Sequence, residues 1–203
     1  MLEALDLVCE RGGRTLFRGL SLALNRGELL RIAGANGRGK TSLLRILCGL
    51  LAPSAGEVRW NGSPIASLRE EFSRQLVYLG HAAALKDDLT GFENLRVMWL
   101  LAGKGMPVSG DALTEALHRL DVPMSSPVKK LSQGQRRRVL LARLVLSEAQ
   151  PLWLLDEPFA ALDVAAARII EELVAAQVAR GGMVIYTSHQ DSRMAGREIQ
   201  LDA

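Results

Sequence analysis

The stretch GANGRGKT, residues 34–41, restricts the possible folds of this chain more than any other part of it. It follows the apolar segment ELLRIAG and precedes apolar residues at helical spacing up to Leu51. Its glycines let the backbone curl so that several N–H groups point at one anion, and the start of the following helix adds partial positive charge. The G-x-x-x-x-G-K-[ST] phosphate-binding motif requires this strand–loop–helix context. We therefore predict a loop in which Lys40 reaches the β- and γ-phosphates and the Thr41 hydroxyl is a ligand of Mg²⁺.

The stretch LWLLDEP, residues 152–158, places two adjacent carboxylates at the end of an apolar segment. Burial of such carboxylates is costly unless a cation or a proton compensates for it, which disfavours a purely structural role. A rigid strand would hold Asp156 where it can position Mg²⁺ or its water. Glu157 is then the candidate to orient and polarise the water that attacks a γ-phosphate.

The stretch LSQGQRRRVLLARL, which starts at Leu131, predicts a helix with Ser132 as its N-cap. Gly134 allows another part of the backbone to approach closely. Arginines occupy the first turns of this helix, where the helix dipole disfavours cations. An anion docked at the helix start would explain that placement.

The remaining pattern predicts an α/β chain with a parallel core sheet. The first 33 residues contain three apolar segments separated by the turn signals ERGG and NRG, which is typical of strands in a meander. Apolar runs predict further strands at 56–62, 75–80, 151–158 and 183–189, and helices at 92–121 (interrupted by a loop), 132–148 and 164–179. We expect one domain, with residues 1–80 and 150–203 as its core and residues 82–149 as a helical subdomain.

Composition narrows the class of protein. The net charge is +3 (25 basic minus 22 acidic residues), and the chain lacks the dense basic tract of a nucleic-acid binder. This charge would suit a protein that works beside an anionic membrane surface, although a solvated basic face is the more common reason for it. Cys9 and Cys48 lie too far apart for a paired motif, which favours a reducing compartment without a disulfide framework or a zinc site. We find no basic-then-apolar leader and no apolar run near the ~18 residues that a membrane span needs. We therefore expect a cytoplasmic chain that contacts a membrane only through a partner.

Together these motifs resemble the ATP-binding-cassette (ABC) ATPases over essentially the whole chain. GANGRGKT is similar to the Walker A loop, LWLLDEP to the Walker B strand, and LSQGQ to the family signature usually written LSGGQ. ALD (161–163) resembles the D-loop, and Ser188–His189 resembles the switch histidine. The segments LVCERGGRTLFRGLSLALN, YLGH, LSQGQRRRVLLARL and LDEPFAALDV resemble more closely the ATP-binding subunits of cytochrome c maturation complexes, the CcmA family.

The resemblance implies a P-loop NTPase fold: a mostly parallel core sheet, an antiparallel β subdomain and an inserted helical subdomain that carries the signature. It implies ATP hydrolysis by two copies paired head to tail, with ATP between the Walker A loop of one copy and the signature of the other. Glu157, His189 and Lys40 are the implied catalytic residues, and Thr41 and Asp156 the implied ligands of Mg²⁺. The implied ATP-binding residues are Gly34, Ala35, Asn36, Gly37, Arg38, Gly39, Lys40, Thr41, Ser42, Arg11 and His81. The residues implied to act on the second copy's ATP are Leu131, Ser132, Gln133, Gly134 and Gln135, with Asp163 in the D-loop.

The family also implies partners and a location. The implied partners are an integral membrane permease subunit (CcmB-like) and a second copy of the chain, and no nucleic acid. The implied location is the cytoplasmic face of the bacterial inner membrane. The implied role is haem export or ATP-driven release of a haem-loaded chaperone. Met98, Trp99 and Leu100 mark the helical subdomain as the expected docking surface, although each residue taken singly favours a place in the core. His118, in an ordinary helical run, carries no functional assignment.

Two alternative functions fit the sequence less well than an ATPase subunit of a membrane complex. A soluble ABC ATPase acting on nucleic acid or ribosomes usually has two cassettes in one chain or a long coiled-coil insertion, and neither is present. A nucleotide-binding regulatory module without turnover conflicts with the intact Lys40, Asp156, Glu157 and His189.

Three positions depart from the common cassette pattern. Arg11 occupies the slot of the aromatic residue that stacks on adenine, where a guanidinium can also stack by a cation–π contact. Gln133 replaces the middle glycine of the signature. His81 stands eight residues before Leu89, in the slot of a glutamine that senses Mg²⁺ and the γ-phosphate water, and Ala82–Ala83 follow it. Because an imidazole can donate, accept and titrate, we expect His81 to couple the nucleotide state to docking.

Overall fold

The structure is a computed structural model that describes residues 1–80, 84–102, 108–189 and 194–201. In chain order its elements are β1 (Leu2–Arg11), β2 (Arg14–Leu24), β3 (Leu29–Ala33), α1 (Lys40–Leu47), β4 (Ala55–Trp60), β5 (Ser63–Pro64), α2 (Ile65–Arg74), β6 (Leu76–Leu79), α3 (Gly91–Leu101), α4 (Gly110–Arg119), α5 (Gln133–Val145), β7 (Leu152–Leu155), α6 (Val164–Ala179), β8 (Met183–Thr187) and β9 (Arg197–Gln200). A short 3₁₀ turn, Val128–Lys130, precedes α5.

The chain divides into two compact units. The first comprises Met1–Gly80, Gln150–Pro158 and Ala176–Ala203, and the second comprises His81–Ala149 and Phe159–Ala175. The second unit therefore includes Phe159–Ala175, which the sequence-based division assigned to the core.

The first unit contains both sheets. One is antiparallel, in the order β2-β1-β4-β5, and the other is parallel, in the order β6-β7-β8-β3-β9. Strands β7 and β8 are buried at every position, as expected for strands of a parallel sheet that is covered on both faces. The predicted α/β class with a parallel core and an antiparallel β part is confirmed.

The predicted meander of three strands is wrong for its third member. Strand β3 does not pair with β2 but lies between β8 and β9, parallel to both. Four of its five residues are buried, and only Arg31 is partly exposed. Such near-continuous burial is typical of a central parallel strand and not of a half-exposed meander strand.

Apolar side chains of both sheets and α1 form the core of the first unit. Helix α1 buries Leu43, Leu44, Ile46 and Leu47 in it, and the parallel strands contribute from one face, as Ile32 and Leu154 do. This packing fixes the two elements that flank residues 34–39, so the loop is held at both of its ends.

The second unit is built around helices α3, α4 and α5. Thr90 and Glu93 form a capping box at the start of α3, and Ser132 and Gln135 form one at the start of α5. Asn94, which is 2% exposed, organises the preceding loop: its side chain donates to the backbone carbonyls of Lys86, Leu89 and Thr90 and accepts from the Lys86 N–H. The starts of both helices are thus fixed by side-chain contacts.

Candidate functional site

The loop of residues 34–39 runs from the end of β3 to the start of α1 with three glycines at positive φ. Gly34 (φ 140°) and Gly39 (φ 95°) also need their lack of a side chain: a Cβ would lie 2.8 Å from the Leu201 carbonyl oxygen in the first case and 3.1 Å from Leu16 Cβ in the second. No side chain caps α1, and no acidic residue lies in its first turn. The helix start therefore offers backbone N–H groups and partial positive charge to an anion.

Lys40 folds over this loop. Its side-chain ammonium donates to the carbonyl oxygens of Gly34 at 2.6 Å and Ala35 at 3.2 Å, and the residue is only 7% exposed. Residues Ala35, Asn36, Gly37 and Arg38 of the loop are exposed, and Ser42 is half-buried. A buried ammonium thus lies directly beneath an exposed run of backbone.

Asp156 follows β7 and is 1% exposed. Thr41 Oγ1 donates to its Oδ2 at 2.8 Å, and Thr187 Oγ1 donates to its Oδ1 at 2.8 Å. Carboxylate and hydroxyl oxygens are the hard ligands that Mg²⁺ takes, usually one or two per protein together with substrate phosphates and water. The oxygens of Thr41 and Asp156 therefore fit Mg²⁺. Within the described ranges there is no cluster of three or more His, Cys, Asp or Glu side chains, which a site for another metal would use.

Glu157 and His189 form a second pair in the same unit. His189 Nδ1 lies 3.0 Å from Glu157 Oε2, and the side chains of His189 and Glu157 are 49% and 13% exposed, respectively. The Glu157 N–H donates to Thr187 Oγ1 at 2.8 Å, and Glu157 has a left-handed backbone with φ 50°. The structure thus brings Thr41 into contact with Asp156 and His189 into contact with Glu157, and these two carboxylates are adjacent in the sequence.

Thr187 is a site residue that the sequence analysis missed. Its hydroxyl touches both Asp156 and the Glu157 N–H, and the residue is fully buried at the end of β8. The available signal was a hydroxyl residue that ends an apolar strand, MVIYT.

Arg11 ends β1 and is paired with Arg14 across the β1–β2 hairpin, where both residues are exposed. Leu16 and Phe17 of the same hairpin border the space beside Gly39. Stacking of Arg11 on adenine stays a prediction. His81, with Ala82–Ala83, lies outside the described residues.

The signature residues lie at the start of α5 in the second unit. Ser132 Oγ accepts from the Gln135 N–H at 3.2 Å, and Gln135 Oε1 accepts from the Ser132 N–H at 2.9 Å, which confirms the predicted N-cap. Leu131 is buried and Gln133 is exposed. No acidic residue lies in the first turn.

Gly134 permits a close backbone contact that involves the D-loop. A Cβ at this position would lie 2.8 Å from the carbonyl oxygen of Ala161, whose φ is 61°. Asp163 follows: its Oδ1 accepts from the Ala166 N–H at 2.8 Å at the start of α6, and its Oδ2 accepts from Arg138. The Ala166 hydrogen bond, reinforced by the Arg138 charge, lowers the pKa of the Asp163 carboxyl. Within the second unit, the D-loop is therefore attached to the signature helix.

Both cysteines are free thiols. Burial raises the pKa of the Cys48 thiol to about 11 and also raises the pKa of Cys9. Neither has the lowered pKa of a reactive cysteine.

Among the helices that the structure describes, none is both long and apolar enough to cross a bilayer.

Comparisons with known proteins place these features in a family. A family model described as ABC transporter matches residues 17–160. The cytochrome c biogenesis ATP-binding export protein CcmA of Aromatoleum aromaticum is 55% identical, and the alignment covers 100% of this chain and 94% of that protein. The protein of the same name from Dechloromonas aromatica is 48% identical over 99% of this chain and 100% of its own length.

Solved structures share the fold. A putative ABC transporter ATP-binding protein from Pyrococcus furiosus superposes with a TM-score of 0.82 at 23% identity, covering 98% of this chain and 96% of that one. The bacterial ABC transporter cassette MJ0796, solved as a dimer, gives a TM-score of 0.80 at 24% identity, covering 94% of this chain and 88% of that one.

Proposed function

Because this chain belongs to the ABC transporter family of ATPases and is similar along its whole length to CcmA proteins, we propose that it is the ATP-hydrolysing subunit of a membrane complex for c-type cytochrome biogenesis. The observation that carries the proposal is the Asp156 carboxylate, whose two oxygens accept from Thr41 and Thr187 one residue before Glu157. This arrangement would place a ligand for the metal ion, Asp156, directly beside a candidate general base, Glu157.

In the first unit, each residue acts by placement and electrostatics. The amides of residues Gly34 to Ser42 and the Lys40 ammonium bind the phosphates. Thr41 and Asp156 would hold Mg²⁺, which would supply positive charge against the phosphates. Glu157 accepts a proton from the attacking water.

His189 orients the Glu157 carboxylate through the 3.0 Å contact and stabilises charge on the γ-phosphate. Arg11 stacks on the base with loosened base selectivity. His81 reports the nucleotide state to the membrane partner.

In the second unit, the start of α5 acts on the nucleotide bound by a second copy of the chain. Ser132 and Gly134 contact its γ-phosphate, and Leu131, Gln133 and Gln135 complete the signature. The absence of an acidic residue from the first turn of α5 supports this role, because a carboxylate there would repel the phosphate. Asp163 belongs to the adjoining D-loop.

The membrane partner is a permease subunit, which would place the chain at the cytoplasmic face of the bacterial inner membrane. Its proposed docking surface is the last turn of α3, where Val97, Leu100 and Leu101 are 36%, 63% and 81% exposed. Met98 and Trp99 on the same helix are half-buried. Exposed apolar residues grouped at one helix end favour a protein interface over solvent. What the complex moves or releases is proposed to be haem or a haem-loaded chaperone.

The catalytic part is tested by Glu157→Gln. We expect ATP turnover to fall by more than about 100-fold while ATP binding is kept, because the variant loses the base but not the phosphate contacts. Glu172→Gln, on the exposed face of α6, is the matched control for loss of one carboxylate and should keep wild-type turnover. Full turnover by Glu157→Gln would contradict the assignment.

The biological part is tested by complementation of a bacterium that lacks its own subunit of this kind, with haem-stained c-type cytochromes as the readout. Wild type and Glu172→Gln should restore the cytochromes, and Glu157→Gln should not. An active ATPase that fails to restore them and is stimulated by nucleic acid would indicate the soluble class instead.

Docking is tested by the double variant Leu100→Ser, Leu101→Ser. We expect this variant to be lost from the membrane fraction while it keeps basal ATPase activity. The control is Leu50→Ser, at a residue of similar exposure (66%) in the first unit, which should remain bound to the membrane fraction. Equal retention of both variants would rule out the last turn of α3 as the docking surface.

A further inference from the structure

Arg138 on the signature helix α5 connects three chain segments of the second unit. Its Nη1 donates to Asp121 Oδ2 at 3.1 Å and lies 3.3 Å and 3.5 Å from the carbonyl oxygens of Asp121 and Leu120, which follow α4. Its Nη2 donates to Asp163 Oδ2 in the D-loop. The Arg138 side chain is 14% exposed, so these partners take the place of most of its water.

The segment that Arg138 holds has a strained backbone. Ala161 lies in the left-handed region with φ 61°, and its carbonyl oxygen occupies the space where a side chain at Gly134 would be. Non-glycine residues keep such a conformation only where their surroundings enforce it. Here α5 supplies two constraints, the open space at Gly134 and the guanidinium of Arg138.

The same segment leads back to the catalytic carboxylate. Only six positions of chain separate Asp163 from Glu157, and Glu157 is itself left-handed with φ 50°. We propose that Arg138 is a positioning residue: by fixing Asp163 it fixes the far end of the turn that begins at Glu157, and so sets the rate of ATP hydrolysis. The inference rests on the proposed ATPase function.

An arginine suits this task better than a lysine does. The planar guanidinium presents N–H groups in fixed directions, so one side chain serves Asp121, Asp163 and the carbonyl of Leu120 together. A lysine ammonium can neutralise Asp163 but cannot span all three groups with the same geometry.

The decisive test is a double-mutant cycle on ATP turnover. Arg138→Gln removes the cation, and Asp163→Asn removes the carboxylate while the asparagine still caps α6 through its side-chain oxygen. We expect each variant to lower kcat by about 10-fold or more, with KM for ATP and fluorescent-nucleotide binding changed by less than about 2-fold. In the double variant the two losses should not multiply, because both remove the same contact.

Asp121→Asn is the matched control, since it removes the other carboxylate from the same guanidinium. Asp121 is left-handed (φ 50°), a conformation that asparagine tolerates, and its side chain is 95% exposed. This variant should keep kcat within about 2-fold of wild type. Arg138→Lys should recover part of the loss and provides a second variant if Arg138→Gln does not fold, as checked by thermal unfolding.

The inference is overturned if Arg138→Gln, or Arg138→Lys where the glutamine variant is unfolded, loses no more kcat than Asp121→Asn. Independent losses that multiply in the double variant would overturn it as well. A wild-type protein without ATP turnover, alone or with its membrane partner, would instead contradict the proposed function.

Discussion

The hydroxyl of Thr187 offers a sharp test of how the site is held together. It donates to Asp156 Oδ1 at 2.8 Å and accepts from the Glu157 N–H at 2.8 Å, in a residue with no exposed surface. Thr187→Val keeps the shape of the side chain and removes both contacts. The substitution therefore isolates the hydroxyl from the packing.

The expected magnitude follows from the two hydrogen bonds. A hydrogen bond to a charged group contributes about 1.5–3 kcal/mol and a neutral one about 0.5–1.5 kcal/mol, so the loss of both should cost about 2–4 kcal/mol of the free energy of unfolding. For a chain of this size, that cost lowers Tm by about 5–15 °C. Because Glu157 also loses the group that orients its backbone, we expect kcat for ATP to fall by about 10- to 100-fold.

Thr187→Ser is the matched control, because it keeps the hydroxyl and removes only one buried methyl group. It should cost about 1 kcal/mol and leave most of kcat. The measurements are Tm by circular dichroism and steady-state phosphate release at saturating ATP and Mg²⁺. If the valine variant were as stable and as active as the serine variant, the hydroxyl would have no part in holding Asp156 or Glu157.

Three further predictions concern other parts of the chain. Gly134→Ala should lower the free energy of unfolding by about 1–3 kcal/mol in urea titrations, because its methyl group would lie 2.8 Å from the Ala161 carbonyl oxygen. Asn94→Leu should cost about 2–4 kcal/mol in the same assay, since the loop bonds of a buried amide are lost; an unchanged midpoint would contradict that role. With Cys9→Ser as background, alkylation of Cys48 by iodoacetamide should stay slow at neutral pH and rise toward the thiol pKa of about 11, because only the thiolate reacts. A rate that levels off near pH ~8.5 would show an ordinary thiol.

The local structure of the candidate site could be predicted where it depends on short sequence patterns. The loop between β3 and α1, the acidic end of β7 and the cap of α5 each occupy fewer than ten consecutive residues, and their backbone context follows from the flanking apolar runs. The backbone geometry within such a stretch is set by neighbouring residues, so it can be predicted without knowing which distant residues contact it.

Pairing over long distances could not be predicted in the same way. The apolar segment of β3 is compatible with either sheet. Its place in the parallel sheet depends on pairing with β8 and β9, which lie more than 150 positions later in the sequence. Helix α2 and strand β9 were not predicted at all: α2 buries only Phe72 and contains Arg69 at φ 37°, and β9 is mostly exposed. Strand β9 offers Ile199 as its one apolar residue, so it carries no apolar period. Helix α2 does place Ile65, Leu68 and Phe72 at helical spacing, and it was overlooked because this short pattern is followed directly by β6.

The missed side chains share one physical cause. Thr187 meets Asp156 across 31 positions of sequence, and Arg138 meets Asp163 across 25. A hydroxyl at a strand end and one arginine among the four of helix α5 are ordinary residues until the fold supplies their partners. Their importance is a property of tertiary neighbours and not of local pattern.

These two side chains support opposite ends of the segment from Glu157 to Asp163. At Glu157 the backbone N–H is held by Thr187, and at Asp163 the carboxylate is held by Arg138. Two left-handed non-glycine residues within seven positions, Glu157 and Ala161, store about 1–2 kcal/mol each, which the segment would release by relaxing if either anchor were lost. Glu157, which we propose as the catalytic carboxylate, thus lies on strained backbone with an anchor on each side. It follows that Thr187→Val and Arg138→Gln should change kcat by different routes, one by moving Glu157 directly and the other by loosening the turn that follows it.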